Sequence, residues 1–200
     1  MMISTLRRRL ATASAATAIA AAMAVMAPPL PVMAGAVADK AAEAEALLAE
    51  GKTAEAVAAF DAAAEALWAA LPLTFRVATF VSSADAYGKY ELVAPSFRAG
   101  DTVTVYLEPI GYGFVAAGAL QRVAFTPSLE IRTPGGLILG QSDTMPKIVW
   151  AGRPQSREVH TAVSVTLPDL KVGDYELRLT LADDAGDKEA TATLPFAVVE

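Results

Sequence analysis

The hydrophobic period of this 200-residue chain changes once, at Pro72, and that change limits the fold more than any motif does. Residues 36–71 are built mainly from Ala, Glu and Leu, with one glycine, Gly51, and no proline, a composition of high helix propensity. Beyond Pro72, apolar and polar residues alternate with a period of two, and turn residues recur between the alternating runs. A short helical segment therefore precedes a long β segment, and no second long helix interleaves the strands.

Gly51-Lys52-Thr53 divides the helical segment into pieces at 37–50 and 54–71. Thr53 is a good N-cap, and Glu55 falls in the first turn, where the helix dipole favours an acid. The two pieces are expected to form an antiparallel hairpin. The spacing Gly51, Ala56, Phe60, Ala63 resembles one tetratricopeptide-type repeat, in which a glycine ends the first helix and small residues let the second pack closely against it. One such repeat cannot bury its own face, so Leu47, Leu48, Val57, Phe60, Leu67 and Trp68 need another surface. Phe60, Leu67 and Trp68 are the expected docking face, set either on the domain that follows or on a partner.

In TVTVYLE (102–108), Val103, Val105 and Leu107 share one face, while Thr102, Thr104, Tyr106 and Glu108 share the other. This is a half-buried strand. The same alternation runs through 123–132, and Thr133-Pro134-Gly135-Gly136 then turns the chain into 137–139. A short strand at 147–150 and a longer one at 158–167 follow. The chain closes on a hairpin pairing 175–181 with 190–199 across the polar turn DDAGDKE. With an opening strand at 75–81 the count reaches seven or eight, the number of an antiparallel β-sandwich. The stretch LPDLKVGDYEL (167–177) resembles the strand E to strand F corner of immunoglobulin-like and fibronectin type III-like modules of exported bacterial proteins. The resemblance implies an Ig-like sandwich in which Tyr175 closes back on the preceding turn as a tyrosine corner.

Ahead of the helices, Arg7-Arg8-Arg9 precede an uncharged, alanine-rich run from 10 to 27, and Val32-Met33-Ala34 offer small or modest residues to a signal peptidase. The expected layout is a signal peptide at 1–34, a TPR-like hairpin at 35–71 and an Ig-like sandwich at 72–200, in a periplasmic or secreted protein with no stable membrane anchor after cleavage. The three arginines leave the general and the twin-arginine export routes both open. The chain has no cysteine, which excludes a lipid-bearing cysteine, disulfides and thiolate sites. Removing Arg7, Arg8 and Arg9 and no acid from 16 basic and 22 acidic residues takes the net charge from −6 to −9. Phosphate backbones repel such a chain, and nucleic acid is not an expected partner.

Gly111-Tyr112-Gly113-Phe114-Val115-Ala116 fits the letters of the dinucleotide fingerprint, with Glu130 near the distance of a ribose-binding acid. That fingerprint works only where a buried parallel strand feeds a helix, and here too few residues separate two strands. Gly111, Gly113 and Gly118 are turn positions in a long loop. No metal or cofactor is expected. His160 is the only histidine and sits on the polar face of its strand, and the acids Asp183, Asp184, Asp187 and Glu189 suit a hairpin turn better than a calcium loop. Glu91, Glu108 and Glu130 are the carboxylates available for glycoside hydrolysis, with Glu108 and Glu130 on outer faces.

Aromatic residues are the surplus. Tyr106, Tyr112, Phe114 and Trp150, with Tyr87 and Tyr90, fall in loops or on faces that the alternation assigns to solvent, and the first four are the candidate ligand or partner surface. The leading functional expectation is a non-catalytic interaction module that binds another envelope protein. The alternative is a carbohydrate or small-ligand binder, which requires those four rings to share one patch; a hydrolase, which requires converging carboxylates or His160 in a cleft, comes last.

Overall fold

The computed structural model describes residues 31–153 and 156–200. The expected signal peptide lies outside the described residues except for 31–34, which belong to α1 (Pro31–Ala49), so the first helix starts ahead of the expected residue 37. Gly51 ends α1 in the left-handed conformation (φ 75°), and the Lys52 N–H reaches back to the Leu47 carbonyl at 2.9 Å. A glycine tolerates that φ without cost. In α2 (Thr53–Ala70) the cap position falls on Lys52 with no side-chain cap bond, so Thr53 is the first helical residue and not the cap. Ala56 closes the first turn through the Lys52 carbonyl at 2.9 Å instead. Among the described residues no helix is long and apolar enough to cross a membrane.

The remainder is β. The strands are β1 (Thr74–Ala86), β2 (Lys89–Leu92), β3 (Ser96–Arg98), β4 (Thr102–Ile110), β5 (Val115–Ala117) and β6 (Leu120–Arg132), followed by β7 (Ile138–Ser142), β8 (Ile148–Gly152), β9 (Thr161–Thr166), β10 (Gly173–Asp183) and β11 (Glu189–Val199). The count exceeds expectation because β2, β3 and β5 are too short for alternation to register. One sheet runs β2-β1-β4-β9 and the other β3-β11-β10-β6-β5, with β7 and β8 also paired to β6, so the chain crosses between two sheets. Every pairing is antiparallel except that of β3 with β11, which is parallel. β6 is long enough to serve several partners. Phe125 pairs with Asp183 of β10 and with Ile148 of β8, so those strands flank β6 on opposite edges.

Alternation builds the core as anticipated. On β10, Tyr175, Leu177, Leu179, Leu181 and Asp183 point inward, and they meet Phe125, Leu129 and Ile131 of β6, Val103, Val105 and Leu107 of β4, and Leu194, Phe196 and Val198 of β11. The Tyr175 hydroxyl donates to the Lys171 carbonyl at 2.8 Å, and its ring packs tilted on Phe196 at 5.7 Å. The tyrosine corner is formed.

β4 departs from the half-buried pattern. From Val105 to Pro109 both faces are buried, because Tyr90 of β2 stacks on Tyr106 at 4.4 Å and His160 lies 5.9 Å from the same ring. Residues 31–200 form one compact unit, with α2 joined to the end of the sandwich.

Candidate functional site

The seam between α2 and the sandwich is built by a clasp. Leu71 leaves the helix with an extended ψ of 141°, and Pro72 cannot continue it. Trp68, on the last turn, donates its indole N–H to the Tyr112 carbonyl at 2.8 Å and meets the Tyr112 ring edge-on at 5.0 Å. Gly111 lets the loop come this close: its φ is 79°, and a Cβ there would stand 2.3 Å from the Pro72 carbonyl oxygen. Lys188 then donates to the carbonyls of Gly111 at 2.7 Å, Leu71 at 2.8 Å and Ala69 at 3.4 Å, placing a cation where the last helical carbonyls lack partners. Asp183 holds the other side, accepting from the Gly113 N–H at 2.7 Å and the Ala185 N–H at 2.9 Å.

The GYG sequence is thereby explained without a nucleotide. The anion at the Gly113 amide is the chain's own aspartate, and β5, not a helix, follows. The acidic turn is spent likewise: Asp183 is buried on backbone amides, while Asp184 accepts from Lys147 at 2.7 Å and Thr126 at 2.8 Å, contacts that hold its pKa below the usual carboxylate value. Among the described residues no group of three or more His, Asp or Glu side chains is placed to hold a metal ion.

The clasp borders an open cavity of about 350 Å³ whose lining includes Glu65, Trp68, Tyr112, Phe114, Gln121, Arg157 and Lys188. Phe114 meets Tyr112 edge-on at 5.2 Å. The Arg157 guanidinium carbon stands 5.4 Å from the Trp68 ring centroid, and its Nε is buried with no hydrogen-bond partner. Burial pushes the Tyr112 hydroxyl well above the ordinary tyrosine pKa; the Val159 amide opposes this without reaching hydrogen-bond geometry.

The structure thus separates the four predicted rings. Tyr112 and Phe114 share the cavity with Trp68, but Trp150 lies on β8 with its ring folded over Gly152, and Tyr106 is 0 % exposed on β4. The expectation of four solvent-facing rings fails for Tyr106 and Tyr112, because long-range neighbours cover faces that local alternation assigns to water. On the predicted docking face only Trp68 is buried, while Phe60 and Leu67 stay exposed. Glu108 is also inside, contrary to its expected outer position. Its carboxylate accepts from the Tyr106 hydroxyl at 2.8 Å and the Gly88 N–H at 3.1 Å, and the same N–H lies 2.8 Å from the Tyr106 oxygen. Burial first, and the Glu108 contact after it, raise the Tyr106 pKa to about 12, with the Gly88 N–H opposing. His160 is half-buried beside this network rather than solvated, and its Nδ1 lacks a partner. Arg76 donates to the Tyr87 hydroxyl at the network's rim.

The carboxylates weighed for hydrolysis do not converge. Glu130 on β6 is held by Arg132 and by Arg178 at 3.4 Å, whereas Glu91 and Glu108 belong to the other sheet.

The hairpin carries the other conspicuous surface. Its two helices bury alanines, namely Ala44, Ala56, Ala59 and Ala63, and leave Leu48 (61 %), Val57 (56 %) and Phe60 (62 %) exposed around a groove of about 340 Å³. A sequence signal existed for this: an alanine-rich seam buries little area, so large residues beside it remain outside.

No family model and no curated protein matches the sequence. Among solved structures, a family 123 glycoside hydrolase from Clostridium perfringens is similar over 65 % of this chain and 28 % of its own, at 13 % identity and a TM-score of 0.35. Spo0M, a sporulation control protein from Bacillus subtilis, is similar over 65 % of this chain and 50 % of its own, at 12 % identity and a TM-score of 0.31. The chain spans at most half the length of either.

Proposed function

We infer that this chain is a non-catalytic, exported interaction module of the cell envelope, in which an Ig-like sandwich presents a single TPR-like helical hairpin to a protein partner. One observation carries it: the apolar groove between α1 and α2, with Leu48, Val57 and Phe60 each more than half exposed, is lined by residues of these two helices and, among the described residues, is covered by no other part of the chain. Exposed apolar surface gathered on one face is how binding grooves are built, and a two-helix groove fits an amphipathic helix laid into it. Charge selects the partner. The hairpin carries seven acids (Asp39, Glu43, Glu45, Glu50, Glu55, Asp61 and Glu65) against Lys40 and Lys52, which suits a helix flanked by Lys and Arg and disfavours a second copy of this acidic surface. The charge block and alanine-rich run before Pro31 support export.

A photo-reactive phenylalanine analogue at position 60 tests this reading in intact cells. Irradiation is expected to join the chain to one discrete envelope protein through an amphipathic segment with basic flanks, and Val57→Asp is expected to abolish that product while the chain melts as the parent does. A product that survives Val57→Asp, a diffuse smear of products, or a crosslink between two copies of the chain would each overturn it.

A further inference from the structure

We propose that the cavity at the helix–sandwich seam binds a small amphipathic carboxylate, its carboxylate on the Arg157 guanidinium and its apolar body against Trp68, Tyr112 and Phe114. This site is separate from the hairpin groove and stands or falls independently of it.

The size is right for such a ligand, since small-molecule sites begin at roughly 300 Å³. The walls are also preformed. The Trp68 to Tyr112 hydrogen bond and the three Lys188 bonds fix α2 and the 111–114 loop before any ligand arrives, so little ordering is left for binding to supply.

Arg157 selects the chemistry. In a chain with 22 acids, no carboxylate of the described residues lies within ion-pair distance of this guanidinium, which is stacked on an indole with its Nε sealed from water and unpartnered. A stacked arginine keeps its planar edge for a two-pronged acceptor, which is the shape of a carboxylate. Lys188, the other cation lining the cavity, has its ammonium protons committed to three carbonyls, so Arg157 is the cationic donor left to a ligand. Glu65, also in the lining, is exposed and has a contact of its own.

The test uses 3-phenylpropionate and its neutral isostere 3-phenylpropionamide, titrated calorimetrically into the chain. The acid is expected to bind saturably and at least about tenfold more tightly than the amide. Arg157→Gln should bring the acid down to the amide, and Phe114→Ala should weaken both. Should Arg157→Gln misfold, the parent alone decides: the chain has two tryptophans, and the indole N–H resonance of Trp68 should shift with the acid while that of Trp150 stays. Equal affinity for acid and amide, no saturable binding at millimolar acid, a shift confined to Trp150, or binding of a neutral oligosaccharide in place of the acid would overturn the proposal.

Discussion

The sandwich and the hairpin solve the burial problem in opposite ways. The sandwich buries Phe125, Phe196 and a column of leucines, and closes its corner with a specific Tyr175 hydrogen bond. The hairpin buries four alanines and keeps its large side chains outside. An alanine contributes little apolar area, whereas a Leu or Phe side chain brought fully inside contributes about 1.5–3 kcal/mol. The sandwich therefore stands on its own core. The hairpin depends on what holds its end, namely Trp68, Lys188 and the Gly111 approach, and among the described residues nothing covers its remaining apolar face.

The largest effect should come from Tyr175→Ala, which empties a packed corner and is expected to cost about 3–5 kcal/mol in urea unfolding of the whole domain. Tyr175→Phe, which removes only the hydroxyl bond to Lys171, should cost about 0.5–1.5 kcal/mol. Trp68→Ala removes comparable volume at the seam, but its loss should fall on the hairpin. Amide exchange in α1 and α2 should accelerate while β10 and β11 keep their protection. If Trp68→Ala instead lowers one cooperative transition as far as Tyr175→Ala does, the two regions are one folding unit and the contrast collapses.

Lys188→Met sharpens the same point at smaller scale. It strands the carbonyls of Gly111 and Leu71 without their cationic donor, and hydrogen bonds to charged groups are worth about 1.5–3 kcal/mol. The expected signature is again faster exchange in α2, with the sandwich melting close to the parent.

Within the sandwich, alkali should reach the Tyr106 network late. Its folded pKa is raised from 10.0 to about 12, so the neutral hydroxyl stabilises the fold fully below the unfolded value and loses that contribution as pH rises through about 12. Urea unfolding measured between those pH values should show the parent losing stability and Tyr106→Phe losing less. An identical slope in the two proteins would mean that Tyr106 titrates as an ordinary exposed phenol.

The sequence made some of this legible and not the rest, and the dividing line is range. The period change at Pro72, the closing hairpin and the Tyr175 corner are written in neighbouring residues, and each is where alternation and turn chemistry place it. Tyr106 and Glu108 were misread because what covers them arrives from elsewhere: Tyr90 from a strand of four residues, and His160 from the approach to β9. The cavity was half visible, since Tyr112, Phe114 and Trp68 were singled out, whereas Arg157 carried no local pattern to distinguish it from a loop arginine. Lys188 and Asp183 had one available signal, a lysine and an inward-phased aspartate at the ends of a polar turn, and only the contact with α2 gives it meaning.

The smallest expected effect is the most discriminating. Phe60 and Phe196 are the same side chain, one 62 % exposed on α2 and the other packed among Phe80, Phe97 and Tyr175. Phe196→Ser should destabilise the sandwich by several kcal/mol, of the same order as Tyr175→Ala, while Phe60→Ser should leave stability within about 0.5 kcal/mol of the parent, as surface changes do, because no buried contact is lost. Thermal melts of the two variants at several protein concentrations measure this directly. A Phe60→Ser cost that grows with concentration would mean that the groove is already covered by a second copy in solution, and the acidic rim would then have to be neutralised across that interface. A negligible cost at every concentration leaves the face open, with its apolar groove and acidic border intact for a basic helix to occupy.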